Sequence, residues 1–197
     1  MFARFAPLLA VLATTSSPAR ADPPPRGQTG LVLQLSGGLA IPTSPSRFTQ
    51  GWQTGYGGNL FVGGFVVPHL VVGAGLGIAS FDRVGTGTFG PEKTTERGGT
   101  ATLVIPTFQV QLHASEGWFV PFVFAGAGVM RTYVADLERD GPGPRTIETD
   151  TKTAAAFELG VALRVPIGRV GDAMVSARFA RGMDGTAYAP IGVGMHF

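Results

Sequence analysis

The chain has 197 residues, enough for one domain, and 44% of them are hydrophobic while only 14% are charged. Its mean hydropathy is +0.24, yet no apolar run reaches the ~20 residues that a membrane-spanning helix needs. The sequence contains no cysteine, which excludes disulfides and thiolate zinc sites. It has no cluster of basic residues, so no nucleic-acid partner is predicted. No motif predicts a cofactor.

The N-terminus has the pattern of a secretory signal peptide. Arg4 supplies a positive charge, an apolar stretch covers residues 5–13, and residues 19–21 (Ala-Arg-Ala) form a small-x-small cleavage site. We therefore predict that residues 1–21 are a signal peptide and that the protein is exported.

A Pro-rich spacer, residues 22–28, is predicted to follow the signal peptide, and residues 29–197 to form the folded domain. Cleavage would remove two arginines and no acidic residue from totals of 15 basic and 13 acidic residues, which leaves no net charge. The basic character of the full chain therefore belongs to the signal peptide.

Apolar residues recur at every second position in eight segments of the domain, each close to the ~9–11 residues that a tilted membrane strand requires. In the sixth segment, for example, Leu159, Val161 and Leu163 alternate with Gly160 and Ala162. The fifth segment has apolar residues on both faces at its start, so its phase is ambiguous. The eight segments are residues 29–41, 56–67, 70–81, 99–113, 118–133, 153–165, 173–181 and 186–197.

The connections between these segments are mostly long on one side and short on the other. The long ones are residues 42–55, 82–98 and 134–152, whereas residues 68–69 form a two-residue turn. The remaining short connections are residues 114–117, 166–172 and 182–185. Short turns at one end and longer loops at the other are typical of outer-membrane barrels, and an even strand number places both termini at the turn end.

Apart from the fifth segment, the large apolar residues lie mainly on one face of each segment, and the other face carries mostly glycine, alanine and polar residues. A soluble barrel would direct its apolar face inward, whereas a barrel in lipid directs it outward and fills a narrow lumen with small and polar side chains. The sequence therefore predicts an all-β fold, an eight-stranded antiparallel up-and-down transmembrane β-barrel.

A polar network is predicted inside the lumen. Glu158, Arg164 and Arg178 lie on the inward face, and a buried charge needs a partner, so we expect the acid to pair with both bases. The glutamines Gln34, Gln109 and Gln111 are expected to complete this network.

Aromatic residues near the segment ends predict two interfacial girdles. The loop-side set is Phe48, Trp52, Tyr56, Phe81, Phe89, Tyr133 and Tyr188, and the turn-side set is Trp118, Phe119 and Phe197.

The last segment ends in Phe197, with Ile191, Val193 and Met195 at alternate positions before it. This pattern resembles the C-terminal signal of outer-membrane barrels, which implies recognition by the barrel-assembly machinery through strand addition. Together with the signal peptide and the eight segments, the mature chain resembles the small eight-stranded OmpA/OmpX-like barrels, without a periplasmic domain.

Three chemical alternatives are weaker. Glycines in residues 71–77 are similar to a dinucleotide motif, but no βαβ unit surrounds them. His113, Ser115 and Glu116 contain the residue types of a hydrolase triad, as small lipid A deacylase barrels have a His-x-Ser pair, but they lie at a short turn. His69, His113 and His196 all fall at the predicted periplasmic rim, where solvated histidines are more common than a metal site.

The sequence therefore predicts a non-enzymatic protein of the cell outer membrane with a structural or surface-interaction role. Its partners would be outer-membrane lipids, lipopolysaccharide and the assembly machinery, and it would be a monomer without a metal or a cofactor. The charged long loops, acidic in residues 134–152, would contact these surface partners. The alternatives are a narrow pore for small solutes and, further off, a lipid A-modifying enzyme.

Overall fold

The computed structural model describes residues 30–83, 87–89, 94–114, 117–140, 146–167 and 171–197. The predicted signal peptide and the Pro-rich spacer lie outside the described residues. The described residues form ten strands and one short helix: β1 (Leu31–Ser44), α1 (Ser46–Gly51), β2 (Gly55–Val67), β3 (Leu70–Asp82), β4 (Gly87–Phe89), β5 (Thr94–Arg97), β6 (Thr100–His113), β7 (Val120–Asp140), β8 (Thr146–Pro166), β9 (Asp172–Gly182) and β10 (Ala187–His196). No helix in these ranges is both long and apolar enough to span a bilayer.

Eight of the strands close into an antiparallel barrel. Its order is β1-β2-β3-β6-β7-β8-β9-β10, and β10 pairs with β1 to complete the ring. Closure pairs the backbone groups of every wall strand on both sides and leaves no edge within the wall. The predicted fold class is confirmed, and each barrel strand overlaps one of the eight predicted segments.

Strands β4 and β5 form a hairpin beside the barrel, where the sequence predicted only a loop. β5 pairs with the far part of β7, through Thr95 opposite Asp140. β7 and β8 are each 21 residues long and stay paired well beyond the other wall strands. The regular apolar alternation of the other wall strands is absent from these extensions, so their sequence showed no sign of strands.

The register of the wall can be followed round the barrel. A line of residues that are paired from strand to strand starts at Val32 on β1 and passes once round the barrel. It crosses the other seven wall strands in turn at Gly63, Gly73, Gln109, Gly126, Glu158, Ala180 and Tyr188. It returns to β1 at Pro42, ten residues further along that strand toward the end with the long loops. A shear of ten on eight strands implies a strand tilt of about 40°, within the usual range. Residues along one line therefore climb a spiral as they circle the lumen.

The outer surface is apolar over the middle of every wall strand. Leu159 is 52% exposed and Phe108 is 61% exposed, whereas Glu158 is only 4% exposed. About ten tilted residues give a band of ~25 Å, which matches the hydrocarbon layer of an outer membrane. The predicted orientation of the two faces is observed.

The ambiguous fifth segment corresponds to β7. Its even-numbered residues point inward, so Phe122, Phe124 and Met130 are buried, while Ala125 and Val129 are exposed. Both faces are apolar there because the lumen beside β7 takes aromatic side chains.

Candidate functional site

The lumen is the candidate functional site, and its side chains form three layers. The turn-end layer contains His113, Arg164, Asp172 and His196; the central network contains Gln34, Asn59, Thr107, Gln109, Gln111, Glu158 and Arg178; and the loop-end plug contains Phe48, Trp52, Phe81, Leu103, Ile105, Met130 and Tyr188. The turn end is the end of the short connections, and the loop end is that of the long ones.

Glu158 is the acceptor at the centre of the network. Thr107 Oγ1 donates a hydrogen bond of 2.7 Å to Glu158 Oε1, and Gln109 Nε2 donates to the same oxygen. Gln109 Nε2 also lies 3.1 Å from Thr107 Oγ1. These donors compensate a carboxylate that is almost fully withdrawn from solvent.

Arg178 neutralises this carboxylate and connects it to the opposite wall. Its Nη1 lies 3.8 Å from Glu158 Oε2 and donates a hydrogen bond of 2.9 Å to Asn59 Oδ1. The guanidinium also lies over the ring of Phe124, with 4.4 Å between Cζ and the ring centroid. A buried cation is thus held by an anion, an amide oxygen and an aromatic face.

Gly160 makes the stacking of Arg178 on Phe124 possible. It lies on β8 in register between these two residues, which belong to β9 and β7. A Cβ at position 160 would come within 2.7 Å of Phe124 Cε1. The missing side chain therefore leaves the space in which the guanidinium meets the ring.

A second set of bonds crosses the lumen between β1 and β6. Gln34 and Gln111 exchange two amide hydrogen bonds of 2.8 and 3.2 Å. Gln111 Oε1 also lies 3.2 Å from His113 Nε2, and this contact joins the central network to the turn-end layer. Both glutamines are at most 1% exposed.

The turn-end layer closes the lower part of the lumen. Arg164 Nε lies 3.2 Å from Asp172 Oδ2, and Arg164 Nη1 lies 3.4 Å from His196 Nε2. The ring of His113 stacks on Phe122 at 4.4 Å and meets His196 at 5.9 Å. Both imidazoles are buried, so they fill space within the barrel.

The loop-end plug is apolar and aromatic. α1 brings Phe48 against Phe81 with 5.1 Å between ring centroids, and Tyr188 also packs against Phe81, at 5.8 Å, with both pairs in T-shaped geometry. Trp52 follows α1, is only 9% exposed, and lies beneath the guanidinium of Arg83 at 5.7 Å. This layer separates the central network from the loop end.

A small cavity of about 10 Å³ lies beside Arg178. Ser36, Asn59 and Ser176 line it together with glycines of β1, β2 and β10. This volume holds roughly one water molecule. The described side chains otherwise occupy this part of the lumen.

The structure brings five of the six residues of the predicted network together: Gln34, Gln109, Gln111, Glu158 and Arg178. Arg164 does not join them, because it lies in the turn-end layer with Asp172. The expected network of one acid and two bases is instead two separate ion pairs, Glu158–Arg178 and Asp172–Arg164. The tilt of the strands decides which residues of different strands lie at the same height, and so which charges meet. Asn59, Thr107 and Phe124 complete the network and are not among the six residues predicted for it.

The four residues of the predicted C-terminal signal lie on the outward face of the last strand. Ile191, Val193 and Phe197 are exposed, and Met195 is half-buried. The backbone of Phe197 exchanges hydrogen bonds with Leu33 on β1, of 2.8 and 3.2 Å.

The predicted loop-side girdle is wrong for four of its residues. Phe48, Trp52, Phe81 and Tyr188 fill the lumen as the plug, whereas Tyr56 is exposed and Tyr133 is half-buried. The side chain of Phe89 lies outside the described part of the structure. At the turn end Trp118 and Phe119 are exposed, as a girdle requires. The sequence did contain a sign of this for Phe81 and Tyr188, because both stand at alternate positions that face inward in their segments.

The described residues give little support to the hydrolase triad, the histidine metal site or the dinucleotide motif. Ser115 and Glu116 lie outside the described residues, and the ring of His113 is occupied by Gln111 and Phe122. Within the part of the chain that the structure describes, no three metal-ligating residues lie close enough to hold an ion. The glycines of residues 73–77 belong to β3, a wall strand.

Comparison with solved structures finds the same architecture. Neisserial surface protein A matches with a TM-score of 0.59 and 10% identity, over 84% of this chain and 95% of that chain. The N-terminal β-barrel domain of Pseudomonas aeruginosa OprF gives 0.47 and 16%, over 86% and 98%. Ail of Yersinia pestis, solved with the heparin analogue sucrose octasulfate, gives 0.46 and 12%, over 85% and 99%.

The fold comparison rests on the first of these proteins, because the other two have TM-scores below 0.5. No family model and no curated protein matches the sequence. The chain therefore has the fold of the small eight-stranded outer-membrane barrels, and its resemblance to Neisserial surface protein A extends over most of both chains.

Proposed function

We propose that this protein is a non-enzymatic resident of a bacterial outer membrane whose barrel is closed to solutes. Its role is structural or consists of surface interaction through the long connections. The observation that carries the proposal is the combination of an apolar outer band with a filled lumen. Leu159, Val161 and Leu163 present hydrocarbon outward, whereas Glu158 and Arg178 are paired inside.

The filling of the lumen favours an anchor over a channel. The plug closes the loop end with aromatic rings, and the amide pair Gln34–Gln111 crosses the middle. A barrel of eight strands has an interior that side chains just fill. The rigid wall would then serve to hold β7, β8 and the β4–β5 hairpin beyond the bilayer, where partners such as lipopolysaccharide are met.

The test has two stages. Cell fractionation combined with heat-dependent gel mobility should place a folded barrel in the outer membrane. Purified protein in a planar bilayer should then show no stable conductance steps. Discrete steps from the wild-type protein would support the narrow-pore alternative instead, and an altered lipid A mass spectrum in expressing cells would support the enzyme alternative.

A further inference from the structure

Among the described residues, two arginines stand at outward positions of the wall strands at the loop end, and both adjoin β8. On β7 the outward residues are Val123, Ala125, Ala127 and Val129 until Arg131, and on β9 they are Ala173, Val175, Ala177 and Phe179 until Arg181. Both arginines are exposed. Each is therefore the first charge that its strand presents above the apolar band.

These two arginines lie at nearly the same height. Arg131 is paired with Thr153 on β8, and Arg181 with Phe157, four residues nearer the turn end. With a shear of ten over eight strands, a line of paired residues rises toward the loop end by about 2.5 residues between β7 and β9. This rise offsets most of the four-residue difference. The remaining difference is ~4 Å in height, and the two Cα atoms are ~16 Å apart along the surface of the wall.

The guanidinium groups are available to a ligand. Arg181 makes no side-chain hydrogen bond or ion pair within the part of the chain that the structure describes. Arg131 lies over the ring of Tyr133 at 4.9 Å, which leaves its N–H groups free at the edge. The nearby acid Asp184 accepts two hydrogen bonds of 3.0 Å from Thr186 within its own turn.

Between the two arginines, the surface of β8 and β9 below Thr153 is apolar. Phe157 and Phe179 form a tilted aromatic pair with centroids 6.4 Å apart, and both are half-buried in the wall. Next to them Ala155 is exposed and small. An aromatic ridge beside a shallow surface suits an acyl chain, directly below two bidentate donors for phosphate.

At the height of Arg131 and Arg181, the described outward positive charges lie only on the β7–β9 side of the barrel. The outward loop-end residues of the other described strands are neutral, such as Thr43 on β1 and Thr100 on β6, or acidic, as with Asp82 on β3. A general attraction to anionic lipid would place cations all round the wall. The restriction to β7–β9 favours a discrete site.

We propose that the β7–β9 face binds a phosphorylated lipid of the outer leaflet, with Arg131 and Arg181 holding phosphate and the Phe157–Phe179 pair seating the acyl chains. The site rests on the proposed outer-membrane location, since it requires a bilayer around the apolar band. Long arginine side chains at a hydrocarbon boundary extend to the headgroup level, so both can reach phosphate there.

Native mass spectrometry of the protein in a maltoside detergent, titrated with diphosphoryl lipid A, tests this site. We expect one saturable lipid adduct, weakened about tenfold or more in R131Q/R181Q. The matched control R97Q/R139Q removes two charges from β5 and the extension of β7, and should bind like wild type. Dephosphorylated lipid A should bind weakly, and inorganic phosphate should not displace the adduct at equal concentration.

Equal binding by R131Q/R181Q and wild type would overturn the site, as would displacement by inorganic phosphate alone. Should R131Q/R181Q fold poorly by gel mobility, R131K/R181K keeps the charge but not the bidentate geometry, and a several-fold loss is expected. This assay uses purified protein in detergent, so its result does not depend on where the protein resides in the cell. Fractionation that placed the protein in the inner membrane would refute the proposed function, whereas equal lipid binding by the variant would refute the lipid site.

Discussion

Gln109 on β6 and Glu158 on β8 are hydrogen-bonded to each other across β7, the strand that separates them. They reach each other because Gly126 stands between them in the register and has no side chain. A Cβ at this position would lie 3.0 Å from Gln109 Cγ and 3.0 Å from Glu158 Oε1. The network thus depends on a missing side chain as much as on those present.

Gly126→Ala should therefore destabilise the folded barrel. The added methyl must displace Gln109 or Glu158, and overpacking of this kind costs ~1–3 kcal/mol. The measurement is equilibrium unfolding by urea in lipid vesicles. Gly37→Ala is the control, because a Cβ there meets only Gly57 O at 3.7 Å. Equal shifts for the two variants would contradict this reading.

Glu158→Ala should be more damaging than an acid removed from a connection. It leaves the guanidinium of Arg178 without its anion in the lumen, and breaking a buried pair from one side costs ~3–5 kcal/mol. The control is Glu92→Ala, which changes an acid between β4 and β5 and lies outside the described residues. Loss of stability should be read from the urea midpoint at constant slope. A similar midpoint for both variants would remove the central network as a stabilising element.

Phe81→Ala should destabilise the barrel more than Phe108→Ala, although the two residues lie on neighbouring strands. Phe81 is fully buried in the plug, and its truncation leaves a cavity at a cost of ~3–5 kcal/mol. Phe108 is 61% exposed on the outer face, where lipid can fill the space. Vesicle unfolding gives the comparison. The reverse order would indicate that the outer face is the packed one.

A charge on the apolar band should be tolerated according to its depth. Val161→Arg places a cation near the middle of the band and should cost ~2–4 kcal/mol, whereas Thr153→Arg lies at the loop end and should cost ~0–1 kcal/mol. Folding yield from heat-dependent gel mobility and vesicle unfolding both report the difference. A Val161→Arg protein that folds like wild type in lipid would argue against a bilayer at this height.

Much of the fold could be predicted from the sequence because lipid outside and a narrow lumen inside impose one alternation on every wall strand. Leu159 and Glu158 are adjacent in sequence and opposite in environment, and the pattern alone assigns both. The same logic failed on β7, where the inward Phe122 and Phe124 are as apolar as the outward residues. There the deciding contacts are with His113 and Arg178, which come from other strands.

The site was less predictable for a related reason. Residues expected to be inward could be recognised by parity, but the partner of each depends on shear, which no local pattern encodes. Arg164 was therefore expected beside Glu158 and instead pairs with Asp172. Phe48 and Trp52 lie outside the alternating segments, so nothing local indicates that α1 turns them back into the lumen.

The bonds across the lumen join strands that are not neighbours in the wall: Gln34 on β1 reaches Gln111 on β6, and Asn59 on β2 reaches Arg178 on β9. A sheet that has not yet joined its first strand to its last cannot form them. The amides of Gln34, Asn59 and Gln111 would then lack these partners and face hydrocarbon or water. Pairing of β1 with β10 and formation of the hydrogen bonds across the lumen should therefore occur together. Partly closed intermediates would gain little stability, so we expect the barrel to fold in one cooperative step.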